Sequence, residues 1–216
     1  MSFTSSVERE CPKGCDSFEI DIWSYIRADK DEWLKEKVLA GDLNWATCPH
    51  CANLFFCDEI VIYHDPADEL LAFIYPESYR KDRMRWQKKM QDDALRWKES
   101  RPESEKWNYP PKLFFGLKEF QEFLRGEEEM KIEAEIAEHL ARKLRLSIYR
   151  VQPWFARDHR IPVQIPCAPA PREDLKESMR LGLTALLAEN RSLRIYKKYL
   201  DQLRDPRGTW SRPPSV

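Results

Sequence analysis

The 216-residue sequence predicts an α+β protein: a β-rich N-terminal unit with one inserted helix, followed by a helical C-terminal region. Three observations carry this reading. Short apolar runs, alternating over 18–23 and nearly continuous over 60–63 and 70–75, have the length and period of strands. Apolar residues return at helical spacing over 79–97, 117–125, 127–146 and 172–204. The hydrophobic fraction of 42% beside a charged fraction of 34%, with 8 tryptophans, supplies a core under a densely charged surface. Lys+Arg and Asp+Glu nearly cancel to a net charge of -1, which excludes a whole-protein field that would gather nucleic acid or anionic lipid.

In chain order, residues 1–10 read as a flexible arm. The stretch 18–23 alternates apolar and acidic residues and predicts a strand. A short helix follows over 30–40, with Asp29 or Asp31 as its cap, Trp33, Leu34 and Val38 on its apolar face and Gly41 as its stop. Leu54, Phe55 and Phe56, then 60–63, extend as strand; residues 64–68 have turn chemistry, with Asp65 as a turn cap, and 70–75 returns as the partner strand. Composition changes at Pro76. Residues 100–111 are polar and proline-bearing and read as a linker, and 113–115 as a further strand. Two separate helices are expected over 117–125 and 127–146, both belonging to a helical portion, 77–150, of the same domain. Residues 151–171 read as a proline-rich connection, 172–204 as one long helix, and 205–216 as a tail.

Cysteine usage is the sharpest signal. Cys11-Pro-Lys-Gly-Cys15 and Cys48-Pro-His-Cys51 are two tight pairs separated by a strand and a helix, long enough to fold back. Each pair supplies half of a tetrahedron, so Cys11, Cys15, Cys48 and Cys51 together predict one structural zinc ion and a zinc-ribbon-like unit over 11–76. Zinc bound this way contributes on the order of 10–16 kcal/mol, as much as the whole stability of a small domain. Four protein ligands leave no open position for a catalytic water. Cys57 and Cys167 have no partner in sequence.

Residues 11–76 resemble the CpXC domain, a family with two Cys-Pro knuckles and no established biochemical activity. The resemblance rests on Cys11-Pro12, on 32–41 (EWLKEKVLAG), on Cys48-Pro49-His50-Cys51 and on Ile62-Tyr63-His64-Asp65-Pro66. Phe114-Phe115-Gly116-Leu117 to Gly126 extends it to about residue 145. It implies the same four cysteine ligands and no catalytic residues. The first knuckle here carries three intervening residues where the family has two, and Ala52 stands where the family has glycine.

No Gly-rich phosphate loop, HExxH or nucleophile elbow is present in the sequence, so a zinc-stabilised interaction or scaffold module, a non-catalytic subunit or adaptor, is the leading expectation. It implies a protein partner or a homo-oligomer. The alternative is a nucleic-acid-binding protein using Arg80, Arg83, Trp86, Lys88 and Lys89 with Arg194 and Lys197, basic residues beside an aromatic one. A solvated helix face interspersed with Asp82, Asp92 and Asp93 accounts for the same charges. The last alternative is thiol redox chemistry at Cys48 and Cys51, although a reactive CxxC ordinarily opens a helix. The polar N-terminus and short apolar runs predict no membrane span, and free thiols predict a cytoplasmic protein.

Overall fold

β1 (Phe3–Arg9) and β2 (Phe18–Arg27) form an antiparallel hairpin whose turn carries the first cysteine pair. The expected N-terminal arm is therefore a strand. Its side chains are mostly polar because it is the outermost strand of the sheet, and pairing with β2 rather than its own pattern fixes it. The computed structural model describes residues 1–170, 174–205 and 210–216. The chain divides into two units, Met1–Arg125 and Gly126–Val216.

In the first unit, α1 (Glu32–Ala40) follows β2 and leads into the short hairpin of β3 (Trp45–Thr47) and β4 (Leu54–Phe56). β5 (Val61–Asp65) then lies parallel to β2, and β6 (Leu70–Tyr75) returns antiparallel to β5. A 3-10 turn (Glu77–Asp82) and α2 (Arg83–Glu99) cross over to β7 (Lys112–Phe115), parallel to β6. The sheet order is β1-β2-β5-β6-β7. Both crossovers step the same way across the sheet between strands of opposite direction, so the right-handed rule puts α1 and α2 on opposite faces. Packing agrees. Leu34 and Val38 of α1 share a core with Ile26, Tyr63, Ala72 and Ile74, whereas Trp97 of α2 meets Tyr25 and His64 edge-on. Covered on both faces, β6 is buried at every position.

Gly41 ends α1 in the left-handed region, φ 83°, where a side chain would be strained. Asp31 precedes α1 without capping it, because its carboxylate accepts instead from the Ser2 backbone N–H and hydroxyl, both at 2.7 Å. The expected linker over 100–111 buries Trp107 and Tyr109 and belongs to the first unit. The two helices expected on either side of Gly126 are one, α3 (Leu117–Lys143). A lone exposed-helix glycine costs only about 1 kcal/mol, too little to break a helix anchored at both ends by packing. Leu117, Phe120 and Leu124 of α3 join the first core.

In the second unit Ala137 of α3 joins a core built from β8 (Ser147–Arg150), α4 (Pro153–His159), β9 (Gln164–Cys167), α5 (Leu175–Glu189) and α6 (Arg194–Arg204). The proline-rich stretch is thus structured: Pro153 opens α4, and Pro166 sits on a two-stranded sheet where both strands are edges. The expected single helix breaks at Asn190, whose side-chain oxygen accepts from the Ser192 N–H and hydroxyl. Its expected start at 172–173 lies outside the described residues. Of the expected tail, 206–209 lie outside the described residues, and 210–216 are tied down. The Tyr149 hydroxyl donates to the Pro213 carbonyl at 2.6 Å, and Gln152 N–H to the Pro214 carbonyl at 3.1 Å.

Candidate metal centre

The two knuckles sit at the tips of two hairpins in the first unit. In the β1–β2 turn, Gly14 N–H donates to the Cys11 carbonyl at 2.8 Å and Gly14 takes φ 78°, which accommodates the extra residue between Cys11 and Cys15. Lys13 N–H points at the Cys11 sulfur, 3.4 Å away. In the β3–β4 turn, Ala52 N–H closes on the Cys48 carbonyl and Cys48 N–H on the Asn53 carbonyl, both at 2.9 Å. Ala52 carries φ 55°, the left-handed conformation that explains why glycine is favoured there. Asn44 holds the second hairpin against the sheet: its side chain accepts from Trp23 N–H at 2.8 Å and donates to the Trp23 carbonyl at 3.0 Å.

These turns bring the sulfurs of Cys11, Cys15, Cys48 and Cys51 within 4.8 Å of one another, with Cys11 Sγ and Cys51 Sγ 3.6 Å apart. Zn–S bonds of about 2.3 Å would set the edges of a tetrahedron near 3.8 Å, so the spacing fits an ion of this kind at the centre. Among the described residues this is the one such cluster of metal-ligating side chains, and it holds no carboxylate or imidazole. An all-sulfur donor set suits a thiophilic ion. Cys11 and Cys48 are buried, Cys15 is half-buried and Cys51 exposed. Crowding splits the thiols. The neighbouring Cys51 sulfur, with burial, pushes Cys15 up to about 12. Desolvation acts against the Cys48 thiolate, but N–H groups of His50 and Cys51 together with the Cys11 and Cys51 sulfurs bring Cys48 down to about 7. The four cysteines can hold a metal ion. Cys57, just past β4, is buried outside the cluster, as is Cys167 on β9; burial raises both thiols.

The basic residues singled out in the sequence are divided between the two units. Arg80 is engaged by Glu77, by Glu119 and by the Phe115 carbonyl. Lys89 pairs with Asp93 at 2.7 Å. Trp86 is half-buried and stacks on Tyr79 with ring centroids 4.2 Å apart. Arg83 and Lys88 are exposed on α2, while Arg194 and Lys197 are exposed on α6 in the second unit. Sequence reasoning missed an apolar surface. Register pairs Trp45 with Phe56 and Thr47 with Leu54 on one face of the second hairpin. There Trp45 is 49% exposed, Leu54 60% and Phe56 36%. The alternation of these residues around the knuckle was a readable signal, but it does not say which face meets water.

Two β-hairpin tips thus converge four thiols that could hold a metal ion, beside a mixed sheet. The family model of the CpXC protein matches residues 10–134, more than half of the chain, and the chain belongs to the CpXC family. No curated protein and no solved structure matches it. Among the described residues no helix is long and apolar enough to cross a membrane.

Proposed function

We propose that the chain is a zinc-stabilised protein-interaction module, a non-catalytic subunit or adaptor. The observation that carries this reading is the second hairpin itself, whose tip supplies two of the four thiols while one of its faces presents Trp45, Leu54 and Phe56 to solvent. Two short strands cannot hold three large apolar side chains in water unaided. The ion, held by Cys11, Cys15, Cys48 and Cys51, would rigidify that face, and no reaction step is assigned to it. The Trp45 indole N–H is already spent on the Gly41 carbonyl at 2.8 Å, which fixes the ring for contact. Aromatic anchors held rigidly are what protein interfaces use.

Nucleic-acid binding draws less support, since Arg80, Lys89 and Trp86 are committed to intramolecular partners. Thiol redox chemistry at Cys48 and Cys51 draws less again, because Cys51 lies against Cys11 of the other knuckle and no helix follows. The test is a photo-crosslinking side chain at the exposed position Thr47 in expressing cells, read beside native mass of the purified protein. The expected result is a discrete adduct or oligomer that Trp45→Ala with Leu54→Asp removes while zinc content stays the same. A monomer with no adduct, retained on mixed DNA and RNA with steep salt dependence, would replace this reading by the nucleic-acid one.

A further inference from the structure

β7 is the outer strand of the five-stranded sheet on the side away from β1. Gly116 N–H donates to the Tyr75 carbonyl at 2.8 Å. In a parallel ladder this directs the backbone groups of Phe114 toward β6 and those of Leu113 and Phe115 outward. The outward pair of Phe115 is capped: its N–H donates to the Glu119 carboxylate at 2.9 Å and its carbonyl accepts from Arg80 at 2.9 Å. The outward pair of Leu113 has no such cap among the described residues. Beside it opens a groove of about 340 Å³, bounded by Arg83, Gln87 and Met90 of α2 on one side and by Lys112, Phe114 and Phe123 on the other.

We propose that this groove is a strand-addition site for an extended peptide that carries acidic residues next to apolar ones. The geometry provides each part of that recognition. An incoming strand would accept from Leu113 N–H and donate to its carbonyl, as a sixth strand of the sheet. Its alternate side chains would fall toward Met90 on one side and toward Phe114 and Phe123 on the other. Arg83 borders the groove and no acidic residue lines it among the described residues, so the charge complement is a carboxylate. Arg83 has no ion-pair partner among the described residues. The Glu119–Arg80 cap at Phe115 ends the site and sets its register.

The inference extends the interaction-module reading to a second surface, and rests on that reading only in treating the chain as a binding protein. The test measures fluorescence anisotropy of a labelled Glu-Val-Glu-Leu-Glu-Val-Glu peptide against the full zinc-loaded chain, with the Lys-for-Glu peptide as comparison. The Glu peptide should bind at least about tenfold more tightly than its Lys counterpart. Leu113→Pro deletes the outward N–H without touching the ladder to β6, and should weaken binding about tenfold in a variant whose circular dichroism still shows the folded chain. Arg83→Glu, an exposed position, should do the same and raise affinity for the Lys peptide. Equal binding of both peptides, wild-type affinity in both variants, or displacement of the peptide by a single-stranded oligonucleotide would overturn the proposal. A peptide that fails to bind while Thr47 still crosslinks a partner would overturn the groove and leave the interaction-module reading standing.

Discussion

At His64 two tyrosines occupy both ring nitrogens: the Tyr25 hydroxyl lies 3.3 Å from Nδ1 and the Tyr109 hydroxyl 2.9 Å from Nε2. Trp97 and Trp107 close the remaining sides with ring centroids at 5.4 Å. A neutral imidazole satisfies both contacts, donating from one nitrogen and accepting at the other. Burial pulls its pKa from 6.5 down to about 4, with Arg27 and Arg101 acting in the same direction and Asp29 opposing. The folded pKa is depressed, so between these values the unfolded chain binds a proton that the folded chain refuses. The stability this contributes, roughly 3 kcal/mol, is complete above about pH 6.5 and is lost as pH falls toward 4. His64→Gln keeps a donor and an acceptor but cannot titrate. Urea midpoints of the variant should therefore fall less steeply over pH 6.5–4 than those of the wild type, and equal slopes would refute the assignment. The sequence shows His64 and Asp65 only as a turn pair, and Asp65 does accept from Asp68 N–H at 3.3 Å. The tyrosine that completes the histidine cage lies 45 residues away, where no local pattern points to it.

Among the elements of the second unit, α5 lies with Gly182 directly against the backbone of β9. A Cβ on Gly182 would stand within 2.7 Å of the Pro166 carbonyl carbon and the Cys167 nitrogen, both backbone atoms. Helix propensity alone says that Gly182→Ala stabilises α5 by about 1 kcal/mol. Backbone contact at this distance says the opposite, because the strand must move; the expected net loss is about 1–3 kcal/mol. Denaturant midpoints decide the sign, and a stabilised variant would show that α5 and β9 do not pack as described. The same helix shows why elements were only partly legible. Apolar spacing over 172–204 runs on through Asn190 without a change of period, so the break is carried by a side-chain turn at Asn190 and Ser192. The converse holds at Gly126, where a helix-weakening residue suggests a stop and packing of both halves of α3 overrides it. By contrast α1, β5 and β6 were readable within a residue or two, because their patterns and their stops at Gly41 and 66–69 agree.

For the whole molecule, the sequence marks the α+β class and the four cysteines, since thiol spacing is local chemistry. It does not mark the division after Arg125, which falls inside a continuous helix and leaves no change of composition to read. Nor does it mark that the two hairpin tips meet, with Cys11 and Cys51 in contact across 40 residues of chain. Thiols crowded this closely are a liability without an ion to join them. The most direct measurement is metal content of protein purified without chelator, combined with X-ray absorption at the zinc edge and hydrogen exchange before and after chelation. One zinc per chain with four sulfur neighbours at about 2.3 Å is expected. Chelation or Cys48→Ser should abolish exchange protection in the two knuckle hairpins while α5 and α6 stay protected. Protein free of metal, with four freely titrating thiols and both hairpins still protected, would contradict it.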